Sequence, residues 1–371
     1  MSRLKSVTPF LVMDILRKAR SLKDVIHFEI GEPDVPPADA VKQALSQAAL
    51  EGKVGYTESL GLWELRQAIA DFYQRRYGVT VAAERIAITV GTSGAFLITY
   101  AILLSAGERL LLTDPAYPCY KNFAHLLDIK PVFAPIDAST DYQLTPQQIR
   151  DYPGIRAVQI SSPSNPIGNV YPAASLKALI ETCEAQGATF ISDEIYHGLT
   201  YEEPAHTALE FSDQVIVINS FSKYFSLPGL RLGWAILPPN QVRNAEKVIQ
   251  NLFIAAPTLS QYGALAAFDE AYLRQTTETY RQRRDYLYQA LSELFEIETR
   301  PQGAFYIWAN VEKYTDDSVL FAKQLLDEIR VATTPGLDFG QNQAHKYLRF
   351  AYTRDLAHLQ EGVRRLQQFL R

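Results

Sequence analysis

The stretch QVIVINSFSKYFSLPGLRLGW (residues 214–234) joins an apolar run, VIVIN, to a polar turn that holds Lys223 and then Arg231. A continuous apolar run of this length, bounded by polar residues, is the mark of a strand buried on both faces. Working outward, the same motif recurs. RIAITV, RLLLTD, AVQISS and TFISDE are further apolar strands. Between them lie helical patterns, LWELRQAIADFYQRRYG closed by Gly78, GTSGAFLITYAILLSAG after a turn, and SLKALIETCEAQG. Strands alternating with helices predict an α/β unit, a mostly parallel sheet covered by helices, over residues 45–272.

Beyond residue 272 the pattern changes. ETYRQRRDYLYQALSEL, SVLFAKQLLDEI and LAHLQEGVRRLQQFL read as helices, and EIETR, FYIWANV, IRVATT and YLRFAYT as short strands. These predict a smaller α+β domain, residues 14–44 with 273–371, after an N-terminal arm over residues 1–13. Phe10, Leu11, Met13 and Leu16 are spaced as the apolar side of an amphipathic helix that packs on a neighbouring element or subunit.

Composition narrows the function. Of 371 residues 47% are hydrophobic and 21% charged, and the net charge is −5, so bulk charge points to neither nucleic acid nor an anionic membrane. The apolar run near the N-terminus is broken by Asp14, too short for a membrane span or a secretory signal. Two cysteines, Cys119 and Cys183, make no disulfide framework, and a reducing cytoplasm is expected. Six scattered histidines give no metal-ligand spacing, so no metal is expected.

Ligands of such sheets sit at the carboxyl ends of the strands. The polar residues gather there: Gly91, Thr92 and Ser93, then Asp114 to Tyr117, Ser162 to Asn165, Asp193, and Ser220 to Lys223. Two cations in one turn, flanked by Ser220 and Ser222, call for an anion, and GTSG opening a helix offers N–H groups to a phosphate. A desolvated lysine beside another cation is poised to attack an aldehyde as a neutral amine. Pyridoxal phosphate carries both groups. Its ring nitrogen needs a carboxylate, for which Asp193 is placed; Tyr196 and Asn165 are near enough for its phenolic oxygen, and Tyr117 for its ring face. Each residue alone reads more simply as a cap, a core tyrosine or a turn residue; their convergence on one rim favours the site.

The sequence resembles the class I/II aminotransferases, the fold-type I pyridoxal-phosphate enzymes. SFSKYFSLPGLRLG fits their lysine signature. EIGEPD, YTESLGLWELRQAI, GTSGAF, DPAYPCY, SPSNPIGNVY, SDEIY, PQGAFYIW, PGLDFG and YLRFAY follow in collinear order. The resemblance implies that Lys223 forms a Schiff base with the cofactor and that Asp193 pairs the ring nitrogen. Asn165 and Tyr196 would bond the phenolic oxygen, and Tyr117 would stack on the ring. Gly91, Thr92, Ser93, Ser220, Ser222 and Arg231 would hold the phosphate. Arg349 would grip the substrate α-carboxylate, helped by Asn165 and by the backbone of Gly31. Tyr56 would reach the other subunit's cofactor, which implies a homodimer. The Asn165–Pro166 bond is expected cis. The implied activity moves an amino group from an L-amino acid to a 2-oxo acid. Ile167 stands where relatives carry threonine, and Ser93 where the related aspartate-specific branch carries lysine, so strict aspartate specificity is not implied. Phe10, Val35 and Tyr56 point to an apolar or aromatic substrate side chain. Two other readings share the resemblance: a carbon–sulfur β-lyase and a non-catalytic sensor domain.

Overall fold

The computed structural model describes residues 3–371; residues 1 and 2, the start of the expected arm, lie outside the described residues. Seven strands form the main sheet: β1 Ile86–Thr89, β2 Arg109–Asp114, β3 Lys130–Pro135, β4 Ile155–Ser161, β5 Thr189–Asp193, β6 Ile216–Ser220 and β7 Gly233–Ile236. Their order is β1-β7-β6-β5-β4-β2-β3. All run parallel except β7, which is antiparallel to both β1 and β6. Six carboxyl ends therefore face one rim, as a sheet of helix-linked strands requires.

Two of these strands escape a reading by apolar runs. β3 is an edge strand with Pro131 and Pro135 in it, which an edge tolerates because one side of its backbone needs no partner. β7 is only four residues long and follows β6 with no α-helix between them, only the 3-10 turn Pro228–Leu230. Ser220 pairs with Gly233 in register, so the lysine turn is the connection between two neighbouring antiparallel strands. That connection is tied across its base by Phe221 N–H donating to Leu232 O at 3.2 Å.

A second sheet of three antiparallel strands, β8 Tyr306–Asn310, β9 Thr334–Pro335 and β10 Tyr347–Ala351, has the order β9-β10-β8. Ile26–His27 pairs in parallel with Val331–Ala332 beside it. The segment EIETR forms no strand; Glu296 alone bridges to Asn310, because the chain leaves the sheet edge on its way to Pro301. The expected division at residues 44/45 and 272/273 falls inside two helices, Asp39–Leu50 and Glu270–Ser292. Asp39–Leu50 packs against Thr258–Ala264. Among the described residues no helix is long and apolar enough to cross a membrane.

Candidate active site

The rim of the main sheet and the face of the smaller sheet enclose a cavity of about 330 Å³. Thr92, Ser93, Tyr117, Asn165, Asp193, Ser222, Lys223 and Arg231 line it from the main sheet, and Tyr306, Thr334 and Arg349 from the other.

Helix Gly91–Leu103 begins directly after β1, so the expected turn is only the left-handed Gly91, φ +65°. No side chain caps its start, and its first turn holds no acid, so its exposed N–H groups and dipole favour an anion. A Cβ at Gly91 would lie 2.6 Å from Arg231 Nη2. Glycine here lets the guanidinium approach the helix start. Arg231 itself is left-handed, φ +54°, and its Nη1 donates to Pro228 O at 2.9 Å. Ser220 lies behind this cradle. Its hydroxyl sits 2.8 Å from both Leu232 O and Ser222 Oγ and accepts Ser222 N–H at 3.0 Å. It organises the turn, and Ser222 is the serine that lines the cavity.

Lys223 Nζ donates to Gly31 O at 2.6 Å. Burial, then the positive charges of Arg349 and Arg231, depresses its amine to about 8, against the opposing pull of Glu32 and Asp193. Asp193 accepts from Tyr120 O–H and from Ile195 N–H at 3.1 Å. Its burial pushes the carboxyl up to about 6 despite those donors. Among the described residues it forms no salt bridge within 4 Å; both donors to it are uncharged. Tyr196 Oη lies 2.9 Å from Tyr306 Oη. Tyr117 meets Tyr120 edge on at 5.4 Å.

Arg349, in β10, is 6% exposed. Its Nη1 donates to Asn165 Oδ1 at 3.1 Å, and its Nη2 to Glu29 O at 2.8 Å and Thr334 Oγ1 at 3.2 Å. Its buried Nε has no partner. The guanidinium lies over the rings of Tyr306 and Phe339, at 4.3 and 4.9 Å from their centroids. The loop after Phe28 serves both cations: Glu29 O receives Arg349, Gly31 O receives Lys223, and Asp34 pairs with Arg283 at 2.6 Å. The Asn165–Pro166 bond is cis.

Tyr56, expected to reach the other subunit's cofactor, is 81% exposed on this chain's surface, and Val35, expected at the substrate side chain, packs on the core instead of the cavity wall. Phe10 does line it, with Val12, Met13 and Leu16. Tyr120, Tyr306, Asp338 and Phe339 also line the cavity and carry no signal in the apolar pattern. Tyr120 lies one residue inside helix Cys119–Leu126, three residues after Tyr117, and only this fold turns it onto Asp193.

A mostly parallel α/β sheet with a poised lysine, a buried carboxylate and an anion cradle on one rim, faced by a second, smaller sheet, defines the fold-type I class of enzymes. The family described as aminotransferase class I and II matches residues 23–366, and the chain belongs to that family. It is 35% identical to the valine–pyruvate aminotransferase of Mycobacterium tuberculosis, over 98% of this chain and 97% of that one. It is also 35% identical to the (5-formylfuran-3-yl)methyl phosphate transaminase of Methanocaldococcus jannaschii, over 99% and 98% of the two chains. An aminotransferase structure from Mycobacterium tuberculosis superposes with a TM-score of 0.96 at 34% identity, covering 100% of this chain and 98% of that one. The protein is a transaminase, and it transfers an amino group between amino and 2-oxo acids.

Proposed function

We propose that the chain binds pyridoxal 5'-phosphate in this cavity and that Lys223, Asp193, Asn165, Tyr196 and Arg349 are its working residues. The observation that carries the reading is the meeting of Lys223, Asp193 and Arg349 around one cavity. The fit is chemical. The uncapped helix start with Arg231 suits a phosphate, and buried Asp193 suits a cationic ring N–H. The Lys223 amine suits an aldehyde, and Tyr117 offers a ring face. Thr92, Ser93 and Ser222 add hydroxyls beside Arg231, while Gly91 and Ser220 shape the cradle from behind.

Pyridoxal phosphate, when bound, supplies a carbonyl carbon that takes an amino group and a ring that accepts electrons as the substrate Cα–H bond breaks. The chain does the rest. Arg349 receives the α-carboxylate, for which its unpartnered Nε and planar fork are suited. Fixing the carboxylate there fixes the direction of the Cα–H bond. The Lys223 amine, neutral for much of the time near pH 8, takes the Cα proton and returns it as an acid. Asp193 holds a proton at the ring nitrogen through a charge-assisted bond, and Tyr120 holds Asp193. Asn165 and Tyr196 offer donors at the phenolic oxygen.

Two substitutions test the binding roles. Arg349→Lys keeps the charge and loses the fork, and kcat/KM for the amino acid falls by about 10²-fold, mostly in KM, in steady-state kinetics. Gly91→Ala forces a Cβ against Arg231 at a left-handed position, and cofactor affinity falls about tenfold in an absorbance titration of the cofactor-free protein. The reading as a whole is tested by titrating the yellow, loaded protein with amino acids. Bleaching that a 2-oxo acid reverses is expected; a spectrum that no amino acid changes would refute it.

The working form is proposed to be a cytoplasmic homodimer. Leu50, Val54, Tyr56, Leu252 and Ile254 are exposed apolar side chains. Thr258 Oγ1 donates to Gly55 O at 2.6 Å, so the two segments that carry them lie side by side. A second copy would cover this face and bring its Tyr56 toward the cradle. Cys119 and Cys183 are both unpaired thiols, in keeping with a reducing compartment.

A further inference from the structure

Helix α1, Leu11–Arg20, forms one wall of the cavity through Val12, Met13 and Leu16, with Phe10 just ahead of it. Its own N-cap position is Phe10, which has no side-chain acceptor for the first N–H groups. A residue far along the chain does the capping. Leu11 N–H donates to Asp338 Oδ1 at 2.6 Å, and Val12 N–H to Asp338 Oδ2 at 2.8 Å. Asp338 is 5% exposed and lines the same cavity as Arg349.

The turn that carries Asp338 is held in place. Phe339 O accepts Ala116 N–H at 2.9 Å, and Gln341 and Asn342 N–H groups donate to Asp114 at the end of β2. The segment before α1 is held too: Thr8 and Asn122 exchange two hydrogen bonds of 3.1 Å. α1 and the segment before it are therefore docked by bonds from distant parts of the chain, and of those partners Asp338 lines the cavity.

Among the described residues, the cations lining the cavity are Lys223, Arg231 and Arg349. Under the function proposed here, on which this inference rests, all three are engaged: by the aldehyde, the phosphate and the α-carboxylate. No fourth cation is left on this chain's wall for another carboxylate. The other charged groups on the wall, Glu29, Glu32, Asp193 and Asp338, are all acids, and α1 adds the apolar Val12, Met13 and Leu16. A second substrate carboxylate would lose its hydration there and meet like charge.

We propose that Asp338 determines specificity, pinning α1 over the cavity and by its charge excluding a second carboxylate, so that the site selects monocarboxylic amino acids and 2-oxo acids with apolar side chains. Two variants separate the two effects. Asp338→Asn keeps one acceptor oxygen for the cap and removes the charge; Asp338→Ala removes both. For the loaded wild type, kcat/KM for valine and phenylalanine exceeds that for aspartate and glutamate by roughly 100-fold. In Asp338→Asn the ratio narrows by about tenfold, through a lower KM for the dicarboxylic pair. A residue of purely structural importance would change all four substrates alike. In the cofactor-free protein, hydrogen exchange finds the amides of Leu11 and Val12 protected in the wild type, partly protected in Asp338→Asn and unprotected in Asp338→Ala. A wild type that accepts aspartate as readily as valine overturns the inference. So does an unmoved ratio in Asp338→Asn, or unaltered protection in Asp338→Ala. Failure of the Arg349 assignment is separately visible, as an unchanged KM for every substrate in Arg349→Lys.

Discussion

Lys223→Ala lowers the rate of amino-group transfer by at least about 10⁴-fold while the protein still takes up cofactor. The loss is large because one side chain has two tasks, and no neighbour can replace it. The other amines and imidazoles are absent from the cavity wall, whose remaining bases are the carboxylates of Glu29, Glu32, Asp193 and Asp338. Asp193 is engaged by Tyr120 and Asp338 by α1, so neither is free to take a Cα proton. Uptake survives because the helix start at Gly91, Arg231 and the Asp193 carboxylate do not depend on Lys223. Single-turnover absorbance measurements with one amino acid separate the two results. Wild-type turnover in Lys223→Ala would remove Lys223 from the chemistry.

Asp193→Asn lowers kcat by about 10³-fold, and it also stabilises the empty protein at neutral pH. The two effects have one cause. Burial raises the Asp193 carboxyl from its ordinary value to about 6, so the folded empty protein binds a proton there that the unfolded chain has released. Between about pH 4 and 6 the folded state holds more protons at this group, so stability falls as pH rises, and above that window the cost is constant. Asparagine carries no charge and escapes it, at a gain of about 3 kcal/mol, reduced by whatever the Tyr120 bond loses. Thermal melts of cofactor-free protein at pH 4 and pH 8 should show the variant gaining on the wild type only at the higher pH. Equal melts at both values would mean that Asp193 carries no strain of desolvation. A site that is unstable when empty and relieved by a cationic partner is what a resident ring nitrogen requires.

The main sheet was legible because its strands are buried on both faces and so run apolar without interruption. VIVIN and RLLLTD need no neighbour to identify them. β3 was hidden by its prolines and β7 by its shortness, and both depend on where the sheet places them. Lys223, Asp193, Asn165 and Arg349 could be read from motif order, and they do meet at one cavity. What sequence could not give is contact between distant segments. Tyr120 under Asp193, Tyr306 against Tyr196, and Asp338 capping a helix more than three hundred residues earlier are products of the fold. Ser220 is another such product: its hydroxyl lies 2.8 Å from both Leu232 O and Ser222 Oγ, inside the turn that presents Lys223. The apolar side of α1 was legible as amphipathic, but its division was not: Ile15 and Ala19 face the core, while Val12, Met13 and Leu16 face the cavity.

The central claim is that Lys223 is the residue to which the cofactor attaches. Borohydride reduction of the loaded protein, followed by digestion and mass spectrometry, locates that attachment directly. The account predicts one modified lysine, Lys223, in the peptide that contains SFSKYFSLPGLR, and no label there after Lys223→Ala. Label on any other lysine, or a protein that carries no reducible cofactor at all, would contradict it.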